Sequence, residues 1–160
     1  MSTHSPAAVK IELPPDVRVG VVAARFNAYI VDVLLQQCVE QLQSHGVDEF
    51  RIDVHRVPGA FELPVAAKLL AATKRYRAVI CLGCVVRGDT PHFDFVAGEA
   101  ARGIGQVAIE ESLPVIFGVL TTNTEEQAVA RTNGAHSHAG RNAADAAVEM
   151  IALGRAIRSA

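Results

Sequence analysis

Apolar residues are gathered into four runs of strand length. Residues 78–86 and 114–120 are almost continuously apolar, and 17–24 nearly so, which is typical of strands covered on both faces of a sheet. Residues 51–57 instead alternate apolar and polar positions, which favours a strand with one covered face. The pattern therefore predicts four strands.

Between and after these runs, apolar residues recur every three or four positions, the spacing of one helix face. The first stripe ends at Gly46, a residue suited to a helix C-cap, and Pro64 is tolerable only in the first turn of the second. Thr124-Glu125-Glu126-Gln127 is a capping box that opens a short helix. The predicted helices cover residues 30–42, 63–71, 92–111, a short segment from 124, and 141–158.

Strictly alternating strands and helices predict a parallel sheet with helices on both faces. We expect an α/β fold, a flavodoxin-like three-layer sandwich with a four-stranded parallel sheet, formed by one domain over residues 17–160. Residues 1–16 are polar and contain prolines, with a short apolar alternation at Val9, Ile11 and Leu13. That segment is either a tail or an edge strand for a neighbouring subunit.

Composition narrows the class of protein. The net charge of −2 gives no sign of a surface for nucleic acid or an anionic membrane. No apolar run approaches the 18 or so residues of a membrane span, and we expect a cytoplasmic protein. Cys81 and Cys84 have redox-motif spacing, but residues three apart on a strand point to opposite faces. We therefore interpret both as buried small hydrophobes.

The segment Gly88–Asp94 is the strongest candidate for chemistry. Thr90 is a good N-cap and Pro91 suits the first helical position, so we expect the helix to begin there. Free N–H groups at the start of a helix bind phosphate or another anion, and His92 would be a proton-transfer group beside that site. The alternative is an ordinary helix start with an idle, half-exposed histidine.

Other residues that follow the strands are ambiguous when taken singly. Phe26 either stacks on a flat ligand or folds back as a lid on the core. Glu62 either binds ligand hydroxyls or favours the helix dipole, and Arg131 either neutralises a phosphate or is a surface charge. The hydroxyls of residues 121–124 are explained by capping. His136 and His138 are two apart, but no third metal ligand is indicated, so we predict no metal site.

Four motifs, taken together in their order along the chain, favour the functional roles of these residues over the structural ones. They are ARFN at 24–27, VPGAFELP at 57–64, LGCVVRGDTPHFD at 82–94 and GVLTTNTEEQA at 118–128. Together they resemble the lumazine synthase family over residues 17–158. The resemblance implies an enzyme that condenses 5-amino-6-ribitylaminouracil with 3,4-dihydroxy-2-butanone 4-phosphate to 6,7-dimethyl-8-ribityllumazine, a step of riboflavin biosynthesis, without a cofactor.

The resemblance also implies roles for particular positions. Phe26 would stack on the pyrimidine, and His92 would transfer protons. The ribityl chain would lie against Ala60, Phe61 and Glu62, and the pyrimidine pocket would be lined by Cys84, Val85 and Val86. The phosphate would be held by Asp89 and Thr90. A neighbouring subunit would contribute Phe117 and Arg131.

The family resemblance implies a homo-oligomer built from pentamers, and the sequence leaves pentamer, decamer and 60-subunit shell open. Many members of the family carry a lysine at the position of Ala139, and Arg141 or His138 is a candidate to replace it. Two other classes of function stay open: a non-catalytic flavin- or lumazine-binding module, and a shell-forming scaffold. The presence of His92, Arg131 and Glu62 favours the enzyme.

Overall fold

A computed structural model describes residues 11–133 and 138–159. Its four strands are β1 Val19–Ala24, β2 Ile52–Val57, β3 Ala78–Val86 and β4 Val115–Thr122. All neighbouring strands are parallel, and their spatial order is β2-β1-β3-β4. The predicted four-stranded parallel sheet is confirmed.

The five helices also lie where the apolar stripes predict them. They are α1 Ala28–Ser44, α2 Leu63–Ala72, α3 His92–Glu111, α4 Glu125–Asn133 and α5 Ala139–Ser159. One core cluster joins the sheet to α1 and α5, and a second joins its other face to α2 and α3. The fold is thus the expected flavodoxin-like three-layer sandwich. Among the described helices none is long and apolar enough to cross a membrane.

Strand β3 shows why the two cysteines cannot act together. Cys84 belongs to the cluster under α1 and α5, whereas Cys81 belongs to the cluster on the opposite face. Both thiols are buried and free, and burial raises the pKa of Cys81 to about 12. Their interpretation as small core residues is confirmed.

The ends of two helices were predicted with different success. Gly46 adopts φ 88°, and the N–H of Val47 bonds to the carbonyl of Leu42 at 3.1 Å, so α1 ends in a Schellman motif. Helix α3, by contrast, begins at His92, with Pro91 at the N-cap and no capping side chain. The expected cap at Thr90 is wrong, because the backbone of Pro91, at ψ 2°, is not helical and Pro91 takes the N-cap position itself.

The described part of the N-terminal segment, from residue 11 onward, lies against the end of α1. Leu13 is buried, and its N–H donates to the carbonyl of His45 at 3.1 Å. The His45 ring lies 2.8 Å from both the Ile11 carbonyl and the Asp145 carboxylate. Residues 11–16 form no strand in this chain, and a role as an edge strand for a neighbour stays a prediction.

The strand order determines where a ligand can enter. After β1 the chain moves outward to β2, and it then returns to the other side of β1 to form β3 and β4. The carboxyl ends of β1 and β3 therefore flank a topological switch point, the usual position of the ligand crevice in an open α/β sheet.

Candidate active site

Phe26 lies at this crevice with its ring in solvent. The side chain is 73% exposed, so its alternative role as a lid on the core is wrong. The backbone of its loop is fixed, since the N–H groups of Arg25 and Phe26 bond to the carbonyls of Val57 and Pro58 at 2.8 and 3.1 Å. A cleft of about 440 Å³ borders Arg25, Phe26, Asn27 and Pro58.

The side chain of Asn27 bonds across the switch point, from the end of β1 to the end of β3, a role that its sequence pattern did not indicate. Its backbone is left-handed at φ 54°, a conformation in which asparagine is tolerated better than most residues. Its Nδ2 donates to the carbonyl of Cys84 at 2.9 Å, which ties the β1–α1 loop to the end of β3. The left-handed preference of asparagine before a helix was the only local signal for this bond.

The loop after β2 places a carboxylate beside the aromatic ring. Glu62 accepts a hydrogen bond from the N–H of Gly59 at 2.8 Å, and its role toward a ligand stays a prediction. A Cβ built on Gly59 would lie 3.2 Å from Glu62 Oε2 and 3.8 Å from Phe26 Cδ2, which brings both groups to one spot. Ala60 is buried there, whereas Phe61 is 56% exposed.

The end of β3 leads into the segment with the histidine. The exposure of the side chains rises along this segment. Cys84 is buried, Val85 and Val86 are half-buried, and Asp89, Thr90 and His92 are exposed. Burial, followed by the nearby negative charge of Glu125, raises the pKa of the Cys84 thiol to about 11, so this thiol is uncharged near neutral pH.

Arg87, a second residue that the sequence analysis missed, closes this segment. Its guanidinium contacts both carboxylate oxygens of Asp94, at 2.7 and 3.2 Å, and lies 4.1 Å from the centre of the Phe93 ring. The hydrogen bonds from Arg87 hold the pKa of Asp94 below its usual value. Arginine, phenylalanine and aspartate at this spacing were visible in the sequence, but their mutual orientation was not.

The loop after β4 carries hydroxyls that serve the backbone. Thr122 Oγ1 donates to the carbonyl of Thr124 at 2.8 Å, and Thr124 Oγ1 accepts the N–H of Gln127 at 3.3 Å, so the predicted capping of α4 is confirmed. Desolvation and a hydrogen bond to Glu125 raise the pKa of Tyr29 to about 12. Tyr29 and Glu125 were not among the predicted site residues, and their contact joins the first turns of α1 and α4.

Phe117 and Arg131 lie apart from the crevice elements already described. Phe117 lies on β4 opposite Cys81 of β3, five residues before Thr122 and therefore roughly 16 Å from the carboxyl end of the strand. Arg131 lies in the last turn of α4, where its guanidinium donates to the carbonyl of Gln127 at 2.7 Å, among other contacts. The chain alone does not bring Phe117 to His92, and a contribution of Phe117 to a neighbouring subunit stays a prediction.

Some predictions fall partly outside the described residues. His136 is one of these, so its pairing with His138 as metal ligands is not tested. Among residues 11–133 and 138–159, no three His, Cys, Asp or Glu side chains are grouped to hold a metal. Ala139 is the first residue of α5 and is half-buried against the core, while Arg141 is exposed two residues later.

A larger concavity, of about 530 Å³, lies at the opposite end of the sheet. It is bordered mainly by apolar side chains, including Ile109, Met150 and Leu153. Acid–base chemistry requires titratable side chains near the ligand, and Glu62 and His92 follow the carboxyl ends of β2 and β3. The carboxyl end is therefore the candidate site, in spite of the smaller volume of its cleft.

The fold defines an α/β protein whose parallel sheet has a topological switch point, the usual position of a small-molecule site in this class. Residues 16–155 match the family model of 6,7-dimethyl-8-ribityllumazine synthase, and the chain belongs to that family. It is thus a transferase of riboflavin biosynthesis with lumazine synthase activity, which acts on small molecules and belongs to a family of oligomeric enzymes.

Proposed function

We propose that this protein condenses 5-amino-6-ribitylaminouracil with 3,4-dihydroxy-2-butanone 4-phosphate to form 6,7-dimethyl-8-ribityllumazine. The observation that carries the proposal is the exposed Phe26 ring, backed by Gly59 and Glu62 and facing the switch point. A flat, hydroxyl-rich pyrimidine matches that combination of aromatic face and carboxylate.

The pyrimidine would lie on the Phe26 ring, with its edge against the backbone of Cys84, Val85 and Val86. The hydrogen bond from Asn27 to the Cys84 carbonyl supports this placement, because it fixes the two walls of the crevice relative to each other. Orientation of this kind lowers a barrier by removing the entropy cost of bringing two reactants together.

The ribityl chain would lie along Ala60, Phe61 and Glu62. The bond from the Gly59 N–H fixes one carboxylate oxygen of Glu62 and thereby orients the group, which can accept further hydrogen bonds from hydroxyls. Phe61 offers an exposed apolar face for the carbon chain.

The butanone phosphate would bind at Asp89 and Thr90, the turn before α3. This turn lies at the amino end of a 20-residue helix, where free N–H groups and the helix dipole favour an anion. The amine attacks the ketone and water leaves; phosphate is then eliminated, and ring closure releases a second water. His92, exposed in the first turn, would carry protons between these steps, for which an imidazole is suited near neutral pH.

A neighbouring subunit would complete the site with Phe117 and Arg131, within a homo-oligomer built from pentamers in the cytoplasm. The position of Phe117 on edge strand β4, away from His92, supports this arrangement. Mixed oligomers of His92→Ala and Arg131→Ala chains should then recover activity, because some interfaces pair two intact residues. No recovery after verified subunit exchange would place both residues in a site within one chain.

The reaction itself is tested by incubating the purified protein with both substrates and following lumazine absorbance together with released inorganic phosphate. We expect the two signals to rise in equal amounts. The ketone without its phosphate serves as the control and should react far more slowly if the turn binds phosphate. Binding of the pyrimidine without product formation would favour a non-catalytic binding module or scaffold.

A further inference from the structure

Arg87 joins the end of β3 to the first turn of α3. Its two terminal nitrogens contact Asp94 Oδ1 and Oδ2, at 2.7 and 3.2 Å, in a forked arrangement. The same guanidinium lies 4.1 Å from the centre of the Phe93 ring. A bidentate contact combined with stacking restricts an arginine far more than a single surface ion pair does.

Arg87 also reaches the loop after β4. Its backbone N–H extends the ladder between β3 and β4 by bonding to the Thr122 carbonyl at 2.9 Å. Its Nε donates to Asn123 Oδ1 at 3.3 Å. One side chain therefore joins the first turn of α3 to the loop after β4.

The turn between Arg87 and His92 is otherwise open. A Cβ on Gly88 would meet no atom within 4 Å, and Asp89, Thr90 and Pro91 are all exposed. Within the described residues, the side chains of Asp89 and Thr90 make no hydrogen bond that would hold the turn. The conformation of the turn thus depends mainly on how its two ends are held.

We propose that Arg87 is a positioning residue that holds the turn 88–91 in the shape that receives the phosphate of the substrate. It acts through its clamp on Asp94 and Phe93 and not by contact with the substrate. This inference rests on the proposed function, because it assigns a role in binding butanone phosphate.

Asp94 separates the clamp from the competing role of Arg87 as a direct phosphate ligand. If Arg87 acts through the clamp, Asp94→Asn should reproduce the defect of Arg87→Gln, and the double variant should be no worse than either single one. If Arg87 instead binds phosphate directly, Asp94→Asn would release its guanidinium and leave phosphate binding intact or stronger. That second result would overturn the proposal.

The kinetic test compares Arg87→Gln, Asp94→Asn and their double variant with Arg102→Gln, which removes an ion pair to Glu99 elsewhere on α3. Each clamp variant should raise KM for butanone phosphate about three- to tenfold, with KM for the ribitylaminouracil and kcat changed less than twofold. Arg102→Gln should change none of these values. Equal changes in both KM values would indicate a merely structural role and would contradict the proposal.

Hydrogen exchange provides a readout that does not depend on turnover. In the full-length protein without substrates, amides of residues 88–94 should exchange faster in both clamp variants than in the wild type, and at unchanged rates in Arg102→Gln. Unchanged exchange in the clamp variants would overturn the clamp. If the wild type made no lumazine, the proposed function would fail while this measurement still decided whether the clamp holds the turn.

Discussion

The two ends of the sheet differ in how their polar groups are satisfied. At the amino end, Arg18 contacts both oxygens of Asp53 at 2.8 Å, and the Tyr76 hydroxyl donates to the same carboxylate at 2.8 Å. At the carboxyl end, Phe26, Phe61 and His92 extend into solvent. This polar network of the amino end is satisfied within the chain, whereas Phe26, Phe61 and His92 at the carboxyl end are free to contact a molecule outside it.

This difference predicts that substitutions at the amino end lower stability, whereas substitutions at the carboxyl end lower binding or turnover. Removing a partner from a satisfied network leaves charges or hydroxyls without their bonds, so the cost falls on folding. Removing an exposed group at a crevice leaves folding almost unchanged, and the cost falls on what the crevice binds. Each substitution below therefore tests whether a residue at one end of the sheet affects mainly stability or mainly ligand binding and turnover.

The largest effect is expected at His92. His92→Ala should lower kcat about ten- to hundredfold, toward the low end for a general acid or base because amines and ketones condense readily unaided. The melting temperature and KM for the pyrimidine should stay close to wild-type values. Steady-state kinetics across pH measures this effect, and His55→Ala on edge strand β2 is the control. A wild-type kcat at every pH would remove His92 from the reaction.

The next effect is expected at the amino end. Asp53→Ala should lower the free energy of unfolding by about 1.5–3 kcal/mol, because it removes charge-assisted bonds from Arg18 and Tyr76. The kcat per folded protein should not change. Denaturant unfolding and kinetics on the same samples measure both quantities, and a lost kcat at full stability would erase the contrast between the two ends.

The same variant should depend on pH in a defined direction. Although burial opposes the change, the hydrogen bonds from Arg18 and Tyr76 lower the pKa of Asp53 in the folded protein. Its stabilisation is therefore complete above the ordinary pKa of about 4 and is lost as the pH falls through the lower, folded value. The stability gap between wild type and Asp53→Ala should narrow below about pH 4, and a gap that widened there would contradict the ion pair.

A smaller effect is expected at Phe26. Phe26→Ala should raise KM for the ribitylaminouracil about two- to tenfold, because a stacking surface is lost, while the melting temperature stays nearly constant. Phe50 is an instructive control, since its side chain is 71% exposed, against 73% for Phe26, but it lies before β2, away from the carboxyl end. If Phe50→Ala raised KM equally, exposure of an aromatic ring alone would explain the result.

The smallest effect is expected at Ala139. Ala139→Lys should lower KM for butanone phosphate by about two- to fivefold if a phosphate-side cation is missing, the scale of an exposed ion pair. Arg141→Ala and His138→Ala are the matched comparisons. If Ala139→Lys left KM for butanone phosphate unchanged while Arg141→Ala or His138→Ala raised it, that arginine or histidine would supply the cation in place of the lysine.

Local patterns predicted the parts of the fold that depend on nearest neighbours. The apolar runs located all four strands, Gly46 located the end of α1, and Thr124 with Gln127 located the start of α4. The order β2-β1-β3-β4 was not predicted, because strand order depends on packing between distant segments. The N-cap of α3 was placed one residue too early, at Thr90 instead of Pro91.

The site divides in the same way. Phe26, Glu62 and His92 were found because a resemblance of motifs singled them out among residues that had equally good structural explanations. The bond from Asn27 to Cys84, 57 positions away, and the clamp of Arg87 on Asp94 depend on side-chain orientations that only the folded chain provides. Sequence patterns therefore located the groups that we propose to meet a ligand, but not the contacts that hold the surrounding segments in place.

Hydrogen exchange with 5-amino-6-ribitylaminouracil alone tests most directly whether the carboxyl end is the site, because no turnover occurs without the second substrate. We expect saturating ligand to slow exchange in peptides that cover residues 25–27, 58–62 and 84–92, and to leave the apolar concavity around Ile109 and Leu153 unchanged. Protection confined to residues 108–116 and 150–158 would place the ligand at the amino end and contradict the assignment of the site.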